Sequence, residues 1–183
     1  MKLVLGSKSP RRQALLNQLN LQFDVVDPDV DEKQITTTDP ATKVIETAKL
    51  KAAALPIHEQ TINITADTIV SYQNEIFEKP QDRKDARNML ETLSGNTHEV
   101  YSAVILKSRD FEEIIISKTE VTFYTLTSDE INRYLDSGEY IDKAGAYGIQ
   151  ALGVQFVQSI QGDYNTIVGL PLGEVYRFLS KYI

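Results

Sequence analysis

Apolar residues recur along this chain with two periods, one helical and one alternating, and the exchange between them marks its elements. Leu3-Val4-Leu5 is a short apolar run, after which Ser9 and Pro10 supply an N-cap and a first-turn proline for a helix carrying Ala14, Leu15, Leu16 and Leu19. Phe23-Asp24-Val25-Val26 reads as a second strand and leads into an acidic loop with Asp27, Asp29, Asp31 and Glu32. Asp39-Pro40 repeats the cap-and-proline signal, and the helix it opens has Val44, Ile45, Ala48, Ala52 and Leu55 on one face. Residues 62–72 are rich in β-branched side chains and predict a strand broken at Ala66-Asp67-Thr68, with a turn at Asn74.

In the second half, Asp82 caps a helix with Ala86, Met89, Leu90 and Leu93 on its apolar side, Asp85 stands in a capping-box-like position, and Ser94-Gly95 ends it. Residues 98–106 and 113–125 are two β-rich runs joined by a turn at Arg109-Asp110, which predicts an antiparallel hairpin. Thr127-Ser128-Asp129-Glu130 opens a further helix that Gly138 closes. A Gly-rich loop at 142–150, a strand at 154–160, a turn at Gly162-Asp163-Tyr164-Asn165 and a last helix from Pro171 complete the pattern. Strand–helix alternation that gives way to a hairpin fits an α/β chain with a mixed sheet better than a purely parallel, doubly wound one. The 183 residues suffice for one filled core, so a single domain over 1–183 is expected.

Composition narrows the function classes. With 42% hydrophobic and 25% charged residues the chain is an ordinary globular one, not a disordered one. A net charge of −7 argues against an extended nucleic-acid surface, whereas a small phosphorylated ligand needs only a local basic cluster. The absence of Cys removes disulfides, thiolate nucleophiles and thiolate metal sites. The apolar start is soon interrupted by Lys8, Arg11 and Arg12 and makes a poor signal peptide. No apolar run approaches the roughly 20 residues that cross a bilayer, so a cytoplasmic protein is expected.

Candidate chemistry lies at the ends of the elements. Ser7-Lys8-Ser9-Pro10-Arg11-Arg12 puts two hydroxyls and two guanidiniums at a helix start, where free N–H groups and the helix dipole favour an anion. The competing reading is a capped helix with two solvated arginines. Neither a G-x-x-x-x-G-K-[ST] loop nor a G-x-G-x-x-G turn is present, so phosphates would rest on Arg11, Arg12, Lys51, Lys79 and Lys143. Lys51 borders the apolar stripe of its helix and aims its ammonium either along a pocket wall or into water, its stem over the core edge. Glu32 and Asp67, from separate segments, are a carboxylate pair able to hold one Mg²⁺ or Mn²⁺. For Glu32 a solvated loop acid is the competing reading; Asp67, set among β-branched residues, calls for a partner. His58 and His98, the only histidines, cannot make a multi-His zinc site, and His98 reads as a structural hydrogen-bonding residue.

Taken in order, these motifs resemble the Maf family of nucleoside triphosphate pyrophosphatases. The resemblance runs through Ser7 to Arg12, Glu32, Lys51-Ala52, Ala66-Asp67-Thr68, Glu78-Lys79-Pro80, Leu93-Ser94-Gly95, Thr97-His98, Asp142 to Gln150, Gly162-Asp163-Tyr164 and Gly169-Leu170-Pro171-Leu172. Gly6 departs from it, standing where members often have Ala. The resemblance implies an elongated mixed α/β fold with a deep central cleft, shared with inosine triphosphate pyrophosphatases, and a homodimer. It also implies hydrolysis of a nucleoside triphosphate to the monophosphate and pyrophosphate with a divalent cation (Mg, Mn or Co). The 142–150 segment is similar to that of the branch acting on dTTP and UTP. In that branch the positions matching Arg11, Thr68 and Gln150 are associated with substrate choice, and the one matching Asp67 with the proton acceptor. Ser7, Arg12, Lys51 and Lys79 are then expected to hold phosphate oxygens, with Lys79 assisting catalysis and Glu32 sharing the metal with Asp67. A nucleotide-binding regulator of septum formation that acts without hydrolysis is the alternative, against which the acid Asp67 weighs: near phosphates a carboxylate only repels unless a cation is present.

Overall fold

The computed structural model describes residues 1–183. β1 (Lys2–Gly6) runs into α1 (Pro10–Asn17), with Pro10 in the first turn and the Ser9 hydroxyl accepting the Arg12 N–H, as the cap pattern predicts. β2 (Phe23–Val26) follows, then a 3₁₀ turn at Glu32–Gln34 and α2 (Pro40–Ala53), whose N-cap Asp39 accepts the Thr42 N–H at 2.8 Å. β3 (Thr61–Tyr72) folds back through Gln73 and Asn74, both in the left-handed region, to the short β4 (Glu75–Phe77). The remaining elements are α3 (Arg83–Leu93), β5 (Thr97–Lys107), β6 (Glu112–Phe123), α4 (Ser128–Asp136), β7 (Val157–Gln161), α5 (Tyr164–Val168) and α6 (Leu172–Leu179).

The seven strands form one mixed sheet in the order β2-β1-β3-β5-β6-β7, with β4 paired to β3. β1 is parallel to both β2 and β3; β3, β5, β6 and β7 are successively antiparallel. The parallel part comes from the strand–helix alternation of the N-terminal half, the antiparallel part from the predicted hairpin. β3 joins the two. Both its faces are covered: Val44, Ala48 and Ala52 of α2 pack with Ile69, Ala103 and Ile105 on one side, and Ile62, Ile64, Ala66 and Val70 belong to the large core on the other. α1, α3, α4 and α6 contribute Leu15, Leu90, Tyr134 and Val175 to that large core. No helix is long and apolar enough to cross a membrane.

Three expectations need correction. β3 is continuous through Ala66-Asp67-Thr68, because Asp67 finds a cation on α2 and the strand has no reason to break. Residues 154–160 are only partly strand: a 3₁₀ turn at Leu152–Phe156 precedes β7. The turn at 162–165 is instead the start of α5, since the Asp163 carboxylate accepts both the N–H and the hydroxyl of Thr166 and caps a helix.

His98 is structural, as expected. It is 1% exposed, its Nε2 meets the Tyr147 hydroxyl at 2.8 Å, and its ring packs edge-on against Phe123. Burial pulls its pKa down to about 4, while the unfolded chain keeps the ordinary 6.5. As pH falls through 6.5 the unfolded state takes up a proton that the folded state refuses until about 4, so stability present above 6.5 is lost across that window. The loss amounts to about 3 kcal/mol at 1.36 kcal/mol per unit. Urea unfolding of wild type and His98→Gln should diverge by this much between about pH 7 and pH 4; parallel pH dependences would refute it.

Candidate active site

Of the predicted site residues, Ser7, Arg12, Glu32, Lys51, Asp67 and Thr68 converge on the C-terminal end of β1 and the middle of β3. Successive residues of a strand face opposite sides of its sheet, so Asp67 looks toward α2 and Thr68 toward α1. On the α2 side, Lys51 sends its ammonium to Asp67 Oδ1 at 2.9 Å and to Glu32 Oε1 at 3.0 Å. Lys51 is in the last turn of α2, on the same face as Val44, Ala48 and Ala52, so its stem is buried and only its head reaches the acids. Of the two readings open for this lysine, the inward one holds. Asp67 is 13% exposed on its side chain, and burial pushes its pKa above the ordinary carboxylate value, with Lys51 and then Arg12 opposing that rise.

On the α1 side, Arg12 works as a hub. Its Nε donates to the Gly169 carbonyl at 2.9 Å, its Nη1 to the Ser7 hydroxyl at 3.3 Å and its Nη2 to the Thr68 hydroxyl at 3.1 Å. A planar fork of donors suits three acceptors from the residue after β1, from β3 and from the segment after α5. Thr68 shares a 2.7 Å bond with Ser102 of β5, which donates in turn to the Thr166 carbonyl of α5 at 2.8 Å. Sequence reasoning missed Ser102 and the Gly169 carbonyl. Ser102 carries a faint signal, a hydroxyl directly before Ala103-Val104-Ile105-Leu106, whereas a carbonyl carries none.

The Asp142 to Gln150 loop borders this group. Its Gly145 N–H bonds the Glu78 carbonyl at 3.2 Å, and Gly145 adopts φ of 67° where a Cβ would stand 3.0 Å from Val70 of β3, so only glycine brings the backbone this close. Lys143 lies near Arg11; burial, and then that neighbouring guanidinium, hold its ammonium below the usual value. Lys79 stands apart from the buried group: it is exposed and faces only Asp142, at 3.9 Å. Gln150 is exposed.

A hollow of about 600 Å³ lies between Met1–Leu3 and Leu21–Asp24, and another of about 380 Å³ beside Ser71–Asn74 and Thr97–Glu99. Neither includes any of these residues. Converging side chains mark the site.

For a divalent cation the donor set fits. Lys51 already demonstrates that Asp67 and Glu32 close on one positive centre, and Asp67 Oδ2 takes no bond from the protein. No third Asp, Glu or His joins them. Two carboxylate oxygens leave most of an octahedral shell to water and phosphate, the arrangement Mg²⁺ prefers.

The Maf-like protein family matches residues 2–182. Among curated relatives, a dTTP/UTP pyrophosphatase of Bacillus cytotoxicus is 46% identical over 182 residues, 99% of this chain and 95% of that protein. A dTTP/UTP pyrophosphatase of Vibrio cholerae is 44% identical over 183 residues, covering 99% and 98%. Among solved structures, Ham1 proteins of Coxiella burnetii and Staphylococcus aureus share the fold over nearly their whole length. The first has a TM-score of 0.56 at 13% identity, covering 99% of both chains, and the second 0.57 at 12%, covering 100% of both. With a family match over residues 2–182 and relatives 46% and 44% identical over nearly the whole chain, this protein belongs to the Maf family.

Proposed function

We propose that this protein hydrolyses dTTP and UTP to the monophosphate and pyrophosphate. The observation that carries the reading is the Lys51–Asp67–Glu32 cluster beside Arg12, in a chain 46% and 44% identical to two dTTP/UTP pyrophosphatases. Asp67 accepts a proton from the attacking water. A carboxylate held above its ordinary pKa is a stronger base than an exposed one, and Lys51 and Arg12 oppose the rise. The water oxygen bonds to phosphorus as the α–β anhydride bond breaks, and pyrophosphate leaves with the bridging oxygen.

Arg12 and Ser7 hold phosphate oxygens and stabilise the charge that grows on the leaving group. Lys79, exposed and apart from the buried group, is assigned to the tail of the triphosphate. Lys51 and Arg12 only balance Asp67 and Glu32, so the triphosphate brings negative charge that this site cannot neutralise alone. A Mg²⁺, Mn²⁺ or Co²⁺ ion held by Glu32 and Asp67 supplies that neutralisation and polarises the phosphate when bound. Gln150, with an amide that donates and accepts, matches the imide edge of uracil or thymine, and Arg11 and Thr68 assist in that choice. The working form we propose is a cytoplasmic homodimer.

The deciding experiment is a panel of canonical and modified triphosphates with each of the three metals, assayed for monophosphate and pyrophosphate. UTP and dTTP should be cleaved fastest, with chelator abolishing turnover. A wild-type protein that cleaves no triphosphate under any metal overturns the reading.

A further inference from the structure

Gln150 is exposed on its loop, so the direction in which its amide points depends on how firmly that loop is held. The loop is closed by one residue that no motif singled out. Glu139, just past the end of α4, accepts the Leu152 N–H through Oε2 at 2.9 Å and the Gly153 N–H through Oε1 at 3.2 Å. Its main-chain carbonyl accepts the ammonium of Lys143. Both carboxylate oxygens are thus spent on adjacent backbone amides, where a solvated surface acid would face water or a basic side chain.

The backbone around this clasp is built to fit. The Lys143 stem crosses Gly148, where a Cβ would stand 2.8 Å from Lys143 Cε. Gly153 lies so close to Gly148 that a Cβ on it would stand 2.4 Å from the Gly148 carbonyl oxygen. A larger residue at 148 would push the lysine away, and one at 153 would open the loop. Glu139 therefore fixes the strand of chain that follows Gln150, while Lys143 fixes the strand that precedes it.

We propose that Glu139 is a positioning residue for nucleobase selection: with its carboxylate on the Leu152 and Gly153 amides it holds the loop in the one arrangement that aims Gln150 at the base. This rests on the pyrimidine triphosphate reading of the site. Loss of the clasp lowers the fraction of molecules whose loop is competent, and apparent affinity falls in proportion. The phosphate-binding groups Arg12 and Ser7 lie on other elements and are untouched.

The test compares wild type with Glu139→Ala and Glu139→Gln, the second retaining one acceptor oxygen. For UTP, Glu139→Ala should raise KM about tenfold with kcat within about threefold, if about one molecule in ten keeps the competent loop. Its preference for UTP over CTP should shrink, and Glu139→Gln should fall between. Inhibition by pyrophosphate, which has no base, should be unchanged. Hydrogen exchange of the Leu152 and Gly153 amides should quicken in Glu139→Ala while β5 amides keep wild-type rates. Unchanged KM and base preference in a variant of an active wild type overturn the proposal, as does a pyrophosphate inhibition constant that rises in step with KM. A wild type inactive on every triphosphate overturns the functional reading instead. The exchange comparison then still decides the clasp, and unaltered rates at Leu152 and Gly153 overturn it.

Discussion

Asp67→Asn is expected to lower pyrophosphate release from UTP or dTTP about a thousandfold while the protein stays folded, since a positioned general base supplies roughly 10²–10⁴ in rate. Asn has nearly the shape of Asp, so the packing of β3 against α2 need not change. Lys51 keeps Glu32 as a partner at 3.0 Å, so no buried cation is orphaned. Burial penalises the ionised Asp67, and the neutral amide escapes that penalty. Thermal melting should therefore show a variant at least as stable as wild type. Unchanged pyrophosphate release from the folded variant would remove Asp67 from the role of proton acceptor.

Lys51→Met should produce the second large effect, and one of a different kind. Met fills the stem's place between Ala48 and Ala52 but removes the charge that most opposes the rise in the Asp67 pKa. Asp67 and Glu32 then lack the cation between them, which pushes Asp67 further toward its protonated form. At neutral pH kcat/KM should fall about a hundredfold, comparable to loss of one electrostatic stabiliser. The acid limb of the pH–rate profile should move to higher pH, so part of the activity returns as the medium is made alkaline. A fall of equal size at every pH, with no movement of the limb, would make Lys51 a phosphate ligand alone.

Helix starts were the most legible part of this chain. Ser9-Pro10, Asp39-Pro40, Asp82 and Thr127 each cap the helix that the pattern predicts, because capping chemistry is local. The errors arose where local signals met distant partners. Asp67 argued for a break in a β-branched run until Lys51, 16 residues away in sequence, supplied its counter-charge. α5 has five residues, too few to show a helical period. For the site, the residue types were legible and their grouping only in part. Arg12 reaches Thr68 and Gly169 across 56 and 157 positions of sequence, contacts that no spacing rule encodes. Glu139 escaped notice because its partners are backbone amides, which every residue has.

The alternation of Asp67 and Thr68 along β3 ties the chemistry to strand register. Asp67 lies opposite Ala103 and Thr68 opposite Ser102 in the pairing with β5. A slip of one position would turn the carboxylate toward the Arg12 fork and the hydroxyl toward Lys51, and would turn Ile62, Ile64, Ala66 and Val70 out of the large core with them. Asn63, Thr65 and Asp67 would take their places inside, at the cost of burying polar groups without partners. The hydrophobic burial that selects the register of β3 against β5 thereby also selects the face on which Asp67 stands, and the candidate site inherits its geometry from the core.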